Sequence, residues 1–114
     1  MVKTVFSIGL STGENLVIKK NRLEGEGFLG KGKRVAIVSG IHGDELEGQY
    51  VCYEMIRRLK ANPEYLEGTI DVYPALNPIG LTVADRMIPK LEKDLNRMFP
   101  GNRQGGTFDR AAAA

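Results

Sequence analysis

Cysteine is almost missing from this chain. Cys52 stands alone among 114 residues, so no disulfide can close within the chain and no cysteine cluster can hold zinc. The expected role for Cys52 is that of a small buried hydrophobe. Histidine is equally scarce, with His42 the only one. No apolar run is long enough for a membrane span. The amino-terminal stretch MVKTVFSIGLSTG is broken by Ser7 and Gly9 and lacks the apolar core of a signal peptide. These absences predict a cytoplasmic protein without membrane contact. An excess of one charge is lacking too, since 16 Lys and Arg against 14 Asp and Glu leave a net charge of +2. Basic residues are interleaved with acids, as in Lys19, Lys20, Glu24 and Glu26, and no basic block with interleaved aromatics appears, which argues against a nucleic-acid partner.

What is present is the profile of one globular domain: 42% apolar and 26% charged residues in a length that supports a core without staples. Thr4 to Leu10 and Leu16 to Asn21 read as strands flanking the turn-rich Ser11-Thr12-Gly13-Glu14, a hairpin signal. Arg34 to Ser39 has a continuous apolar centre that predicts a central strand covered on both faces. From Asp44 to about Lys60, Leu46, Tyr50, Tyr53, Met55 or Ile56 and Leu59 recur at helical spacing and read as packing residues. Asp44 and Glu45 lie at one end and Arg57, Arg58 and Lys60 at the other, as the helix dipole favours. Asn62-Pro63 ends the helix, and Thr69 to Tyr73 reads as the next strand. Strand, helix and strand predict a right-handed βαβ unit over 34–74, after a hairpin and loop over 1–33. Beyond Tyr73 the prolines and glycines predict a long irregular region over 75–110, and the alanines at 111–114 read as part of a helix.

Two glycine patterns carry no ligand in this reading. Gly25 to Gly30 satisfies G-x-G-x-x-G, and Gly25 to Lys31 nearly makes a P-loop with Gly32 at the Ser/Thr position. Both motifs need a helix to follow, and here a strand follows.

Gly40-Ile41-His42-Gly43-Asp44-Glu45 falls where the apolar strand ends and the helix begins, the edge at which open α/β sheets place ligands. His42 and Glu45, three residues apart, can aim an imidazole nitrogen and a carboxylate at one point and hold a zinc ion. Alternatively His42 satisfies a loop hydrogen bond and Glu45 is an ordinary first-turn acid. Asp44 and Glu47 are expected to point around the helix. A second cluster, Asp94-Leu95-Asn96-Arg97-Met98-Phe99-Pro100-Gly101, places a guanidinium beside an amide, with Arg86 upstream. Such forks recognise carboxylates. The competing reading pairs Asp94 with Arg97 and buries Phe99 in the core.

His42-Gly43-Asp44-Glu45 with Glu47-Gly48, then Asn77-Pro78, Arg86 and Asp94 to Gly101, resembles the succinylglutamate desuccinylase and aspartoacylase family of zinc carboxypeptidase-like hydrolases. The likeness runs in order from about Val35 to Gly101. It implies an α/β, three-layer fold with a mixed, largely parallel sheet, cut short here after the first βαβ unit, so that 1–110 form the amino-terminal part of one catalytic domain. It further implies that His42 and Glu45 are zinc ligands and that Asn96 and Arg97, assisted by Arg86, bind the substrate carboxylate. The family's third ligand, a histidine, and its general base, a glutamate, lie further downstream and have no counterpart here. The chain alone is therefore expected to bind Zn2+ loosely and to be inactive. The implied reaction of the complete enzyme is hydrolysis of a small acidic N-acyl amino acid. The alternatives are a zinc carboxypeptidase acting on a peptide C-terminus and an incomplete fragment binding metal or an anion without turnover.

Overall fold

The structure, a computed structural model, describes residues 1–25, 32–89 and 91–114. Strands β1 (Val2–Gly9) and β2 (Asn15–Glu24) form the expected hairpin, β1 starting two residues early and ending one short of its predicted limits and β2 extending past both of its own. They pair antiparallel from Val2 opposite Asn21 to Gly9 opposite Asn15, with an irregularity between Thr4 and Phe6. The turn closes with Leu10 N–H donating to the Glu14 carbonyl at 2.7 Å. Gly13, at φ +83°, supplies the left-handed residue that such a turn requires.

Strand β3 (Arg34–Val38), helix α1 (Glu47–Ala61) and strand β4 (Thr69–Tyr73) make the βαβ unit. β3 and β4 are parallel neighbours, Arg34 opposite Thr69 through Val38 opposite Tyr73, while β2 joins the other side of β4 antiparallel. The sheet is mixed, in the order β1-β2-β4-β3, with its parallel pairing confined to β3 and β4. Two features depart from expectation. β3 is an edge strand rather than a central one, and Val35 and Val38 are 47% and 48% exposed. Among the described residues it is paired on one side only, so its apolar run is half covered. Helix α1 begins at Glu47, not Asp44. The Gly43 N–H donates to the Asp85 carbonyl at 2.9 Å, which ties residues 42–46 to a neighbouring loop instead of to a helical turn.

Alternation along β2 sends Leu16 and Leu23 to opposite faces, and each face has its own core. On one side Leu23, Leu66 and Val72 meet Cys52 of α1, with Met55, Ile56 and Leu59 packed alongside. Cys52 is buried as expected, and burial pushes its thiol pKa up against an opposing hydrogen bond with Ser39. Tyr50 and Tyr53, expected to pack, are 68% and 61% exposed; they occupy the helix face turned away from Cys52. On the other side Leu16, Ile88, Leu95 and Phe108 form the second core, joined by Met98. Leu95 takes the buried place there, and Phe99, proposed as the plug in one reading, is half exposed.

The region after β4 is more ordered than its prolines suggest. It contains helices α2 (Pro78–Val83) and α3 (Thr107–Ala112) and a one-turn 3₁₀ helix at Leu95–Arg97. Asn77 starts α2 by accepting from Gly80 N–H at 2.9 Å, with Pro78 fitting the first turn. Of the alanine tail, Ala111 and Ala112 end α3 and Ala113 is its C-cap. Of the glycine-rich motif, Gly25 precedes residues 26–31, which lie outside the described residues.

Beside the second core, on that same sheet face, Asp71 of β4 is 3% exposed and gathers three cations. Arg22 donates to both carboxylate oxygens at 2.8 Å, Lys20 donates at 3.0 Å and Arg34 at 2.8 Å. The Arg22 hydrogen bonds foremost, with those of Arg34 and Lys20, hold the Asp71 carboxyl far below the usual carboxylate range despite the opposing effect of burial.

Candidate metal centre

His42 sits on the loop leaving the carboxyl end of β3. Two backbone features set that loop. Gly40, at φ +66°, turns the chain out of the strand, and its carbonyl accepts from Asn77 N–H at 2.7 Å. Gly43 then passes so close to α2 that a Cβ there would stand 2.0 Å from the Gly80 carbonyl carbon. The polypeptide carrying His42 is thus pressed against the start of the post-β4 region, and the two distant sequence motifs meet.

The His42 side chain is 11% exposed and lies between two carboxylates. Its Nδ1 is 3.1 Å from Glu45 Oε1 and its Nε2 is 3.0 Å from Asp94 Oδ1. Asp94 Oδ1 also accepts from Asn96 N–H at 2.9 Å, starting the 3₁₀ turn that carries Asn96 and Arg97. Partial burial works to raise the Asp94 carboxyl's pKa; the His42 ring, the Asn96 N–H and the Arg86 charge outweigh it and hold the group below its ordinary value. Arg86 Nη1 donates to Glu45 Oε1 at 3.0 Å. Alongside, Val38, Gly40, Ile41, Glu47 and Gly48 join His42 and Glu45 around a hollow of about 340 Å³. A larger hollow of about 620 Å³ between the hairpin turn and α2 is lined mainly by apolar side chains. It lacks this convergence of ionisable groups.

An imidazole with a carboxylate at each nitrogen has two balanced states. It is doubly protonated and donates to both, or it donates Nε2–H to Asp94 and offers the Nδ1 lone pair to a cation shared with Glu45. The donor set fits the second state. Ligand atoms of a tetrahedral zinc site stand about 3.4 Å apart, within a few tenths of the Nδ1 to Oε1 separation. Among the described residues no group of three or more His, Cys, Asp or Glu side chains is arranged to hold a metal ion, so His42 and Glu45 would offer a cation two donors.

The residues singled out from sequence are therefore brought together, with changes of part. His42 and Glu45 face each other from a loop, not from the first turn of a helix. Arg86 reaches the site through Glu45. Asn96 and Arg97 are exposed on the turn anchored by Asp94. Glu47, expected to point away, borders the hollow. Asp94, which the sequence pairs with Arg97 in one reading, holds His42 instead. Its local signal, an Asp two residues before an N–H it caps, is legible in the sequence, but its contact 52 residues away is not.

A mixed sheet flanked on both faces, with an acid-clamped histidine leaving the end of a parallel strand, defines an α/β domain of the zinc-carboxypeptidase-like fold. Residues 31–114 match the family model of the succinylglutamate desuccinylase/aspartoacylase catalytic domain, and the chain belongs to that family. It is 32% identical over 83 residues to N-alpha-acetyl-L-2,4-diaminobutyric acid deacetylase of Halomonas elongata, covering 73% of this chain and 24% of that protein. Among solved structures, the succinylglutamate desuccinylase/aspartoacylase of Rhodobacter sphaeroides superposes with a TM-score of 0.80 at 28% identity, covering 98% of this chain and 34% of that one. An aspartoacylase family protein of Mesorhizobium loti gives a TM-score of 0.77 at 28% identity over the same shares. The chain thus spans about a quarter of the curated relative and about a third of these solved relatives. Among the described residues no helix is long and apolar enough to cross a membrane.

Proposed function

We propose that this chain provides the first half of the metal site and the carboxylate-binding turn of a zinc-dependent hydrolase of small N-acyl amino acids. The observation that carries the reading is His42 held between Glu45 and Asp94, because that clamp fixes one imidazole nitrogen toward a cation site and joins the Asn96-Arg97 turn to it. Membership of the family and the deacetylase relative support the reaction class.

His42 Nδ1 and Glu45 Oε1 would hold the ion, which when bound supplies Lewis acidity to an amide carbonyl and acidifies water. Asp94 accepts the Nε2 proton of His42 and so sets the tautomer. Arg97, on the turn that Asp94 anchors, binds the substrate carboxylate and positions the amide, an orienting effect rather than proton transfer. Arg86 balances the Glu45 charge and adds a second cation facing an acidic substrate. With two donors of its own, the chain holds metal loosely and completes no catalytic cycle unless a further ligand and a base are supplied.

Equilibrium dialysis tests the metal assignment: the chain should take up zinc, and His42→Ala or Glu45→Gln should abolish uptake. In a polypeptide that supplies the remaining ligand and base, activity on N-acetyl and N-succinyl amino acids should exceed that on peptides. There Arg97→Ala should raise KM at least tenfold with zinc content unchanged. Loss of zinc from Arg97→Ala would contradict its placement.

A further inference from the structure

Asn77 is 0% exposed, and both ends of its amide are engaged. Oδ1 accepts from Gly80 N–H at 2.9 Å and Nδ2 donates to the Met87 carbonyl at 3.1 Å. Its backbone N–H donates to the Gly40 carbonyl at 2.7 Å, on the loop that carries His42. One residue therefore touches the His42 loop, the first turn of α2 and the loop that carries Arg86. Capping a helix needs only the acceptor, and Asp or Ser serve there as well as Asn. The donor to Met87 is what the amide adds. A carboxylate has no proton to give, and a serine hydroxyl engaged at Gly80 stops an atom short of the second partner.

Arg86 lies between two fixed points. Asp85 N–H donates to the Gly80 carbonyl at 2.9 Å, and the Asp85 carboxylate accepts from Met87 N–H at 2.9 Å. On the other side Asn77 holds the Met87 carbonyl, and Ile88 next along is buried. Ala84, at φ +53°, turns the chain back from α2 toward this position. Gly80 packs so closely on Asn77 that a Cβ there would stand 2.3 Å from Nδ2, which leaves the amide no room to swing away. The Arg86 side chain, itself half exposed, starts from this clamped backbone and meets Glu45 Oε1 at 3.0 Å. We propose that Asn77 is a positioning residue: through the Met87 carbonyl it sets the backbone from which Arg86 reaches Glu45, and with it the place of the second cation. What that placement does for an acidic substrate rests on the reading of Arg86 given above; whether it exists is tested without metal or substrate.

Nitrogen-15 spectra of the 12.5 kDa chain report on the Arg86 guanidinium, assigned by its loss in Arg86→Lys. Glu45→Gln removes the partner charge and should move that resonance. Asn77→Asp keeps the shape of the side chain and Asn77→Ser keeps it neutral, and both keep an acceptor for Gly80. In each, the Arg86 resonance should already lie at its Glu45→Gln position, and adding Glu45→Gln should move it by under about a fifth of the wild-type shift. A residue that only capped α2 would leave the resonance in place. In the wild type, the Asn77 side-chain protons should outlast those of exposed Asn96 in deuterium oxide by at least about tenfold. Far-UV circular dichroism verifies the fold of each variant; should one unfold, the other and the wild-type exchange still decide. An Arg86 resonance that keeps its wild-type position in either folded variant, one that still responds fully to Glu45→Gln there, or Asn77 protons lost as fast as those of Asn96 would each overturn the proposal. Zinc uptake is measured separately, so failure of the metal reading leaves this result standing.

Discussion

Replacing Asp71 by Asn removes the only negative charge from a set in which Lys20, Arg22 and Arg34 all reach the same carboxylate. Arg34 is 64% exposed, so water screens it and its own contact is worth little. Lys20 and Arg22 are largely sequestered, and without the carboxylate they are left facing each other. Removing one partner of a buried ionic group costs about 3–5 kcal/mol; with Arg34 discounted, the lower end, about 3 kcal/mol, applies. A chain of this length has about 6–17 kcal/mol of stability in all, so the loss is large and measurable. Urea unfolding followed by circular dichroism at pH 7 should show the midpoint falling by about 1–3 M. The pH dependence carries a second signature. The folded Asp71 carboxyl lies below its unfolded value, so its contribution is present above the unfolded value near 3.9 and is lost as pH falls toward the folded one. The gap between wild type and Asp71→Asn should therefore narrow by about 1.4 kcal/mol per pH unit below about pH 4. A gap under about 1 kcal/mol at pH 7, or one that stays constant into acid, would refute the assignment.

Two further substitutions probe the site. Asp94→Asn keeps an oxygen for the Asn96 N–H but withdraws the charge behind His42, and zinc affinity measured against a chromophoric chelator should fall about 10–100-fold. A change under about twofold would show that the clamp does not act through the imidazole. Gly43→Ala drives a methyl into the Gly80 backbone, so thermal unfolding should register a loss of about 1–3 kcal/mol. Zinc uptake should fall with it, because His42 is adjacent; retained stability would mean that the two loops can separate at little cost.

The parts of the fold governed by local chemistry were legible. The Ser11-Thr12-Gly13-Glu14 break located the hairpin, and the apolar runs at Arg34 and Thr69 located the βαβ strands. At the site, the three-residue spacing of His42 and Glu45 suits the facing pair that they form, and Arg86 meets Glu45, whereas Asn96 and Arg97 are exposed on the turn that Asp94 starts. What was not legible depends on contacts between distant residues. The helix starts three residues late because Gly43 is held by Asp85, and no propensity encodes that bond. Tyr50 and Tyr53 share helical spacing with core residues but lie on the opposite face from Cys52, a distinction that rests on which stripe the sheet covers. β3 lies at an edge because, among the described residues, β4 is its single neighbour, and its apolar run does not encode how many neighbours it has. The clamp of Asp94 on His42 required the chain to return across the sheet, and Asp71 looked like one acid among many until β2 and β3 brought it three cations.

The position of β3 also bears on motion. Among the described residues, the strand that delivers His42 is held to the sheet by a single ladder of five residue pairs, whereas β2 and β4 each have neighbours on both sides. The amides of β3 should therefore exchange with solvent before those of β4. The imidazole hangs just past the end of that ladder, and its contact with Asp94, 52 residues further along the chain, is what ties this corner to the returning segment, so that order at His42 and order in the Asp94 turn rise together.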